Sequence, residues 1–280
     1  MLTQYEKGYK MYTQTPLHGK AVIITGASEG IGRALVKVLV EAGANVVASA
    51  RNINRLNELK QELADFQNRI LPIKTDVTSP GECQKLIEET VKNFGKIDIL
   101  INNAGRTMWC RFDEIETLDI IDEIMKPNLY GAIYCTYFAL PYLYETKGQI
   151  VAVSSVAGLT GVPCRTIYSA SKHAMIGFFE SLRIEVAQKG VSVTIVAPDF
   201  VKSEIHKRAL KGDGTSLETT PMVESKIMTA EECANLILKS IIKKQRLLIT
   251  STRGKLGRWM KLICPSLIDR IAIKAIDRKY

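Results

Sequence analysis

A short apolar run followed directly by a glycine-rich turn is the feature that most constrains the fold of this chain. Ala21 to Thr25 contains no charged residue, as expected of a strand that is buried on both faces of a parallel sheet. Gly26, Gly30 and Gly32 follow with the spacing Gly-x-x-x-Gly-x-Gly, and Arg33 to Ala42 has helical periodicity. A strand, a glycine turn and a helix in this order are the context that a dinucleotide-binding site requires.

Each glycine of this turn meets a separate steric requirement of a dinucleotide site. Gly26 allows a tight turn, Gly30 lets the backbone approach a pyrophosphate, and Gly32 allows the helix to pack closely on the strand. The first turn of the helix then offers free N–H groups and the positive end of its dipole to the phosphates. Ser28 and Ile31 lie between the glycines and belong to the same predicted cofactor site.

The following residues alternate between strand and helix patterns. Strands are predicted at Asn45–Ala50, Ile70–Lys74 and Ile97–Ile101, with helices at Leu56–Phe66 and Cys83–Phe94 between them. This alternation predicts an α/β fold in which a doubly wound parallel sheet has helices on both faces. Ligands of such sheets bind beyond the carboxyl ends of the strands. Four positions fall at those ends: Gly26, Asp76, Asn102 and Ser155.

A tyrosine and a lysine four residues apart provide the candidate chemistry. On a helix, the spacing of Tyr168 and Lys172 puts both side chains on one face. The ammonium group is expected to lower the pKa of the phenol from its ordinary value of about 10 towards the working range. Ser155 follows the apolar run Val151–Val153 and offers a hydroxyl donor to an oxygen that becomes an alkoxide.

Taken together, these motifs resemble the short-chain dehydrogenase/reductase family from about Gly19 to Thr250. The resemblance implies a Rossmann-type sheet of about seven strands, a nicotinamide cofactor, and interconversion of a ketone and a secondary alcohol. The matching residues are Thr25, Gly26, Gly30, Gly32, Asp76, Val77, Asn102, Asn103, Ala104, Gly105, Asn128, Ser155, Tyr168, Lys172 and Pro198.

The resemblance also implies roles for individual residues. Tyr168 would give a proton to the substrate oxygen, and Ser155 would hold that oxygen by hydrogen bonding. Lys172 would bind the nicotinamide ribose and lower the tyrosine pKa, and Asn128 would anchor a water that links the lysine to solvent. Besides the glycine turn, Tyr168 and Lys172, the implied cofactor contacts are Asp76, Val77, Asn103, Ala104, Gly105, Pro198, Val201 and Ser203.

Two positions depart from the family pattern. The family usually has glycine after Pro198, where this chain has Asp199; its carboxylate either contacts substrate or caps the following turn. The second strand ends in Arg51 and Asn52, without the acidic residue that would select NAD. Arg51 suits the 2′-phosphate of NADP. NADP is therefore the predicted cofactor, with NAD as the alternative because Glu29 stands where many NADP-dependent relatives have a basic residue.

The substrate pocket is predicted from apolar side chains near the same edge. Met108 and Trp109 follow the fourth strand, and Phe200 begins a segment to about Met228 that resembles the mobile lid of the family. Val162 to Arg165 lies between the catalytic serine and tyrosine. These side chains favour an apolar or lipid-like ketone or secondary alcohol over a small acid.

The basic charge of the chain is concentrated in its tail. Ile241 to Tyr280 has eleven Lys and Arg and two Asp and Glu, a difference of +9 that equals the formal net charge of the whole chain. Residues 253–262 interleave cations with large apolar groups, and an apolar stripe follows at Leu267, Ile268, Ile271 and Ala275. The tail is interpreted as a peripheral membrane anchor or as an oligomer or lid helix. A nucleic-acid contact is not expected, because no nucleic-acid motif accompanies the charge.

Length and composition predict one compact domain. The family resemblance implies its limits as residues 19–250, with an N-terminal extension at 1–18 and a basic amphipathic extension at 251–280. The six cysteines and three histidines are scattered, so we expect free thiols, a reducing cytoplasm and no metal site. No signal peptide or membrane span is predicted. The tail would at most make the protein peripheral at the inner membrane surface. By family analogy the assembly is a homodimer or homotetramer.

The combined interpretation is an NADP(H)-dependent oxidoreductase that acts on a small-molecule ketone or alcohol. The competing hypothesis is a non-catalytic NAD(P)-binding scaffold or sensor, because a fold of this type does not by itself prove activity. The complete set of Asn128, Ser155, Tyr168 and Lys172 favours the enzyme.

Overall fold

The seven strands of the fold form one parallel sheet. The structure, a computed structural model, describes residues 15–220 and 227–277. The strands are β1 (Ala21–Thr25), β2 (Asn45–Ala50), β3 (Ile70–Lys74), β4 (Ile99–Asn102), β5 (Gln149–Val153), β6 (Ser192–Ala197) and β7 (Leu247–Ile249). Their order across the sheet is β3-β2-β1-β4-β5-β6-β7, and every pairing is parallel. The predicted Rossmann-type α/β fold is confirmed.

Helices connect the strands and cover both faces of the sheet. In the described ranges they are α1 (Gly30–Glu41), α2 (Ile53–Glu62), α3 (Pro80–Phe94), α4 (Asp119–Met125), α5 (Gly131–Thr146), α6 (Thr166–Val186), α7 (Ala230–Ile242), α8 (Thr252–Ile263) and α9 (Pro265–Asp277). A π-helical segment, Lys126–Tyr130, joins α4 to α5. Alternate residues of β1 show the two layers: Val22 and Ile24 pack with α1 and α7, whereas Ile23 packs with α3, α5 and α6.

The strand order places a crevice at the carboxyl end of β1. The chain leaves β1 in one direction to β2 and β3, and crosses back to β4 on the other side of β1. The connections after β1 and β4 therefore diverge, and the gap between them is the point where ligands of doubly wound sheets bind.

Polar caps explain where the observed helix limits differ from the predicted ones. The helix predicted at Leu56–Phe66 is α2, which begins at Ile53 because the Asn52 side chain accepts a hydrogen bond from the Arg55 N–H. Similarly, α3 begins at Pro80, since Ser79 caps it and proline is tolerated at a first helical position. The apolar periodicity from which the limits were predicted does not record these caps.

Two further helices follow the last strand of the sheet. Both α8 and α9 lie in the predicted basic extension, and α8 begins after Ser251, whose hydroxyl accepts a hydrogen bond from the Gly254 N–H. Within the described ranges, no helix combines the length and the apolar character needed to cross a membrane. Most of the predicted N-terminal extension, residues 1–14, and lid residues 221–226 lie outside the described residues. The predicted domain limits stay predictions.

Candidate active site

A cavity of about 1720 Å³ occupies the crevice at the carboxyl edge of the sheet. It gathers nearly all of the residues predicted for the cofactor and substrate sites; Asn128 and Met108 are the predicted residues that do not line it. The predicted residues on its wall are Gly26, Ser28, Gly30, Ile31, Gly32, Arg51, Asn52, Asp76, Val77, Asn103, Ala104, Gly105, Trp109, Ser155, Tyr168, Lys172, Pro198, Phe200, Val201 and Ser203.

The glycine turn has the geometry of a pyrophosphate cradle. Gly26 has a φ of 67°, in the left-handed region, and a Cβ there would lie 2.8 Å from the Ala104 Cα. A Cβ on Gly32 would overlap the carbonyl oxygen of Gly26. Side chains at these two positions would force the turn away from the β4 connection or from α1, so the sequence requirement for glycine is steric.

The amino terminus of α1 is open towards the cavity. Glu29 occupies its capping position but makes no side-chain cap, and the first turn holds no acidic residue. The Glu29 carboxylate instead pairs with Arg55, at 2.9 Å, and with Arg208. The N–H groups of the first turn are therefore directed at the cavity without a competing carboxylate, which suits a bound pyrophosphate.

Asn103 and Thr25 fix the turn to the connection after β4. The Thr25 hydroxyl oxygen accepts hydrogen bonds from the N–H groups of Asn103 and Ala104, both at 3.0 Å. The Asn103 amide nitrogen donates to the carbonyl oxygens of Thr25 and Gly26. Asn103 lines the cavity as predicted, but its amide nitrogen serves the turn itself.

A group of arginines lies where the sequence predicted the ribose of the cofactor. Arg51 follows β2 directly and is exposed at the cavity wall. Arg55 lies on the same wall, one turn into α2, and neutralises Glu29. The sequence analysis missed Arg55. Its position three residues after Asn52 was a usable signal, since residues three apart on a helix lie on the same face.

The predicted pair of Tyr168 and Lys172 shares one face of α6. Lys172 Nζ lies 5.9 Å from the centre of the Tyr168 ring and donates a hydrogen bond to the Val153 carbonyl oxygen at 3.0 Å. Ser155, directly beyond β5, forms a side-chain hydrogen bond with Tyr168. The three side chains line the cavity together, so the structure brings together the set that the sequence predicted.

Burial governs the protonation of both α6 residues. Desolvation raises the pKa of Tyr168, and the opposing effects of Arg165 and of the Ser155 hydrogen bond are smaller. The pKa of Tyr168 is therefore raised and not lowered as predicted, because the cost of burying a phenolate exceeds the attraction of Arg165 and the Ser155 hydrogen bond. Desolvation also lowers the pKa of Lys172 to about 8.

Asn128 lies behind the cavity wall, fully buried in the π-helical segment. Its Oδ1 accepts a hydrogen bond from the Arg106 N–H, and its Nδ2 donates to the Arg106 carbonyl oxygen and to the Ser171 hydroxyl oxygen. A Cβ on Gly105 would lie 2.9 Å from Asn128 Oδ1 and 3.6 Å from Lys172 Nζ. Asn128 thus reaches the immediate neighbourhood of the lysine through Gly105. Its predicted water-anchoring role stays a prediction.

Asp199 lines the cavity at the start of the loop after β6. Its carboxylate accepts hydrogen bonds from the Phe200 N–H, the Ser251 hydroxyl and the guanidinium of Arg253. Burial opposes ionisation, but these donors hold the pKa of Asp199 below its ordinary value. Asp199 therefore ties the loop to the start of α8. Across the cavity, Ser203 lies over the glycine turn, with its Cβ 3.0 Å from where a Cβ on Gly30 would be.

The residues predicted to contact substrate separate into two groups. Trp109 and Phe200 line the cavity, whereas Met108 is fully buried and packs in a cluster with Ile124 and Leu210. Neighbouring residues in extended backbone point to opposite sides, so only one of Met108 and Trp109 can face the cavity. The placement of Met108 in the substrate site was wrong.

Arg165 is the substrate-side residue whose role the sequence analysis missed. It was included in a lining segment without a function of its own. Its guanidinium carbon lies 4.7 Å from the centre of the Trp109 ring and 5.2 Å from that of Phe200, although the side chain is only 5% exposed. A charged residue in an otherwise apolar predicted pocket was the available signal.

A dinucleotide cradle and a tyrosine–lysine–serine set in one cavity define an oxidoreductase that uses a nicotinamide dinucleotide. The model of the short chain dehydrogenase family matches residues 20–213, and the chain belongs to the short-chain dehydrogenase/reductase family. It is a dehydrogenase of this family that acts on CH–OH groups.

The relatives of the chain include hydroxysteroid dehydrogenases. It is 34% identical over 260 residues to 11-beta-hydroxysteroid dehydrogenase 1A of Arabidopsis thaliana, covering 90% of this chain and 74% of that protein. It is 36% identical over 261 residues to the dehydrogenase/reductase SDR family protein 7-like of Dictyostelium discoideum, covering 91% and 81%. A short-chain dehydrogenase/reductase from Burkholderia phymatum, solved in complex with NAD, has the same fold, with a TM-score of 0.80, 24% identity and coverage of 90% and 96%.

The buried lysine generates a prediction about stability. Without cofactor, Lys172 is 3% exposed and its charged form is penalised, so Lys172→Met should raise the free energy of unfolding at pH 7 by about 1–3 kcal/mol. The pKa of Lys172 is about 8 in the folded wild type and about 10.4 in the unfolded chain. Between these two pH values the unfolded state binds more protons than the native state. Wild-type stability relative to the variant should therefore rise through that window.

Urea unfolding of the cofactor-free proteins at several pH values measures this difference. Lys37→Met, at an exposed position of α1, is the matched control and should show no such pH dependence. A Lys172→Met variant that is less stable than the wild type at pH 7 would contradict a dominant desolvation penalty.

Proposed function

We propose that this protein is an NADP(H)-dependent reductase that interconverts a ketone and a secondary alcohol on an apolar, lipid-like substrate. The observation that carries the proposal is the placement of Tyr168, Ser155 and Lys172 on the wall of one cavity, beyond the glycine turn. The names of the hydroxysteroid dehydrogenase relatives support a steroid-like substrate, because such molecules are apolar ketones or alcohols.

Tyr168 is the proposed proton donor to the substrate oxygen. Burial raises the pKa of its phenol, so the group is protonated at neutral pH and holds the proton that a reduction consumes. The Ser155 hydroxyl, hydrogen-bonded to Tyr168, is placed to donate to the same oxygen as negative charge develops on it. A bound nicotinamide cofactor supplies the hydride for such a reduction.

Lys172 is the proposed link between the cofactor ribose and the tyrosine. Its Nζ donates to the Val153 carbonyl oxygen, and the ammonium group has further N–H donors for ribose hydroxyls in the cavity. Asn128 is proposed to position this part of the site, because it holds the Arg106 backbone from both sides and abuts Gly105. The contacts of Tyr168, Ser155, Lys172 and Asn128 are therefore compatible with the proposed roles.

The preference for NADP is supported by the charges beyond β2. Arg51 is exposed at the cavity wall, and the pairing of Glu29 with Arg55 and Arg208 neutralises the carboxylate that would repel a 2′-phosphate. A guanidinium is suited to phosphate because it donates two hydrogen bonds in one plane. The NAD-bound relative of known structure leaves NAD as the alternative cofactor.

A peripheral membrane contact is the proposed role of the outer face of the tail. On α8, Trp259 is 64% and Leu262 71% exposed, and both lie among Lys255, Arg258 and Lys261. Apolar groups beside cations are the composition of helices that lie in the plane of an anionic membrane surface. Of the predicted stripe on α9, Leu267 is exposed outside the cavity, whereas Ile268 and Ile271 line it; the side chain of Ala275 lies outside the described ones.

The inner face of the tail supports the lid interpretation at the same time. Gly254, Gly257 and Ile268 line the cavity, and Lys261 donates a hydrogen bond to the Leu159 carbonyl oxygen in the connection after β5. An apolar substrate could then pass between a membrane and the cavity along α8 and α9. The proposed location is the cytoplasm, with peripheral contact at the inner membrane surface.

A homodimer or homotetramer is the proposed assembly. Large side chains without protein cover on the outer helices support it: Tyr137 on α5 is 72% exposed and Ile184 on α6 is 76% exposed. Exposed apolar and aromatic groups on packed helices are typical of subunit contacts.

Removal of the Tyr168 hydroxyl tests the proposed proton donor. Tyr168→Phe keeps the ring but removes the transferable proton, so turnover should fall by roughly 100- to 10,000-fold with little change in cofactor affinity. Oxidation of NADPH and NADH with steroids, acyl ketones and quinones measures turnover, and Tyr137→Phe is the exposed control. Near-normal reduction by Tyr168→Phe would show that the mechanism is wrong. Cofactor binding by a wild type without turnover would favour the scaffold hypothesis.

Cofactor selectivity is tested separately. Arg51→Ala should weaken NADPH binding by about 1.5–3 kcal/mol, the scale of a hydrogen bond to a charged group, and leave NADH binding unchanged. Fluorescence titration of the reduced cofactors gives both affinities, with Lys37→Ala as the control on α1. Equal losses for the two cofactors would make Arg51 structural, and a wild-type preference for NADH would contradict the NADP assignment.

Membrane binding is tested with the full chain. A variant with Trp259→Gln and Leu262→Gln should lose flotation with phosphatidylserine-containing vesicles, whereas Leu118→Gln, at an exposed position outside the tail, should float like the wild type. Wild-type flotation should require the anionic lipid and should reverse at high salt, because each basic residue near such a surface contributes about 1 kcal/mol. Absence of wild-type flotation, with a changed oligomeric state in the double variant, would assign the face to a protein interface.

A further inference from the structure

Arg165 puts a buried guanidinium group inside the substrate end of the cavity. The residue precedes α6 directly, three positions before Tyr168, and lines the cavity although its side chain is 5% exposed. Neither the proton transfer nor the cofactor contacts described above use it. A buried arginine without a function is costly to keep, because taking an ion out of water has a penalty that only paired groups offset.

Three aromatic rings lie within about 6 Å of the Arg165 guanidinium. The Arg165 guanidinium carbon lies 4.7 Å from the ring centre of Trp109, 5.2 Å from that of Phe200 and 5.7 Å from that of Tyr168. Cation–π contacts of this kind offset part of the desolvation cost. They act through the ring faces, however, and provide no acceptor for the N–H groups that lie in the guanidinium plane.

Two of these in-plane donors have no acceptor among the residues that the structure describes. The Nε and Nη2 atoms of Arg165 are buried and make no hydrogen bond. In the described part of the chain, no carboxylate forms an ion pair with this residue. Burial lowers the pKa of Arg165, as expected where no carboxylate compensates for the lost hydration. The site therefore has a charge and two donors with no partner.

The two free atoms are the pair that this chain uses elsewhere to hold a carboxylate. Arg253 donates from Nε and Nη2 to the two carboxylate oxygens of Asp199, at 3.1 and 2.6 Å. Arg111 holds Asp113 with the same two atoms, at 3.0 Å each. This side-on fork matches the spacing of carboxylate oxygens. Arg165 has the same pair of donors, Nε and Nη2, in a side chain that lines the cavity.

We propose that Arg165 is a specificity-determining residue that binds a carboxylate of the substrate. The substrate is then an apolar ketone or alcohol with a carboxylate near the reacting carbon, held at one end by the Arg165 fork and on its body by Trp109 and Phe200. The guanidinium is close to the Tyr168 ring, which places the anionic group at the reacting end of the molecule and not on a distant tail. This inference rests on the proposed ketone–alcohol chemistry.

A matched pair of ketones tests the inference by kinetics. Benzoylformate and methyl benzoylformate have the same ketone and ring, and they differ in the charge of the neighbouring carboxyl group. Arg165→Met should lower kcat/KM for benzoylformate by about 10- to 150-fold, the loss expected for a charged hydrogen-bonded pair, and change that for the ester by less than about threefold. Arg111→Met removes a similar fork outside the cavity and should affect neither substrate.

A binding measurement separates this inference from the reductase proposal. In a Trp259→Phe background, Trp109 is the remaining tryptophan of the chain, and its fluorescence reports benzoate in the cavity without any turnover. The dissociation constant of benzoate should rise by the same factor in Arg165→Met. Benzoate binding that depends on Arg165, in a protein that reduces no ketone, would uphold the carboxylate site and overturn the reductase proposal.

Two results would overturn the carboxylate site. One is a wild type that fails to bind benzoate; the other is an equal loss for benzoylformate and its ester in Arg165→Met, as expected of a purely structural arginine. If Arg165→Met does not fold, Arg165→Lys decides the question, since it keeps the charge and loses the fork. A loss confined to benzoylformate supports the site, and an equal loss for both substrates overturns it.

Discussion

The close approach between the turn after β1 and the connection after β4 is the contact on which the rest of the site depends. Gly26 lies against the backbone of Ala104, and Thr25 and Asn103 join the two segments through four hydrogen bonds. This contact sets the path of the β4 connection, and with it the position of Gly105 beside Lys172. The glycine turn and the part of α6 that carries Lys172 are thus positioned by one arrangement of backbone atoms, which a single Cβ would disrupt.

The electrostatics of the cavity follow from burial more than from pairing. Desolvation raises the pKa of Tyr168 and lowers those of Lys172 and Arg165, so all three side chains are disfavoured in their charged forms. Two buried cations around a neutral phenol make the site receptive to anionic ligands, because each anion that enters restores part of the lost solvation. A phosphorylated dinucleotide at one end and a carboxylate at the other would both meet this requirement.

Local patterns in the sequence predicted the fold well and the site in part. The limits of β1, β2 and β3 were predicted as observed. β1 is an unbroken buried run, whereas β2 includes Asn45 and Ser49 and the edge strand β3 ends in Lys74, so these two were recognised from their apolar and β-branched majority. The glycine turn and the Tyr168–Lys172 spacing are also local signals. Helix starts were less accurate, since Asn52 and Ser79 act as caps through single hydrogen bonds that apolar periodicity does not record.

The remaining features depend on contacts between distant parts of the chain. Trp109 and Phe200 are far from Arg165 in sequence, so the aromatic surroundings of the guanidinium exist only in the folded protein. The same is true of the tyrosine pKa, because the sequence gives the neighbour Lys172 but not the degree of burial that outweighs it. Met108 and Trp109 are neighbours in extended backbone, so their side chains point to opposite sides. The packing of Met108 against Leu210 decides which of the two lines the cavity.

The ion pair between Asp199 and Arg253 makes the loop after β6 and the tail one mechanical unit. Asp199 begins the loop that borders the cofactor end of the cavity, and Arg253 lies in the first turn of α8. A shift of α8 is therefore transmitted to the cavity wall through two charged hydrogen bonds. A tail exchanged between members of the family would have to keep both Asp199 and Arg253. Without Arg253, a largely buried carboxylate on the cavity wall loses its ion pair, and with glycine at position 199 the start of α8 loses its contact with the loop.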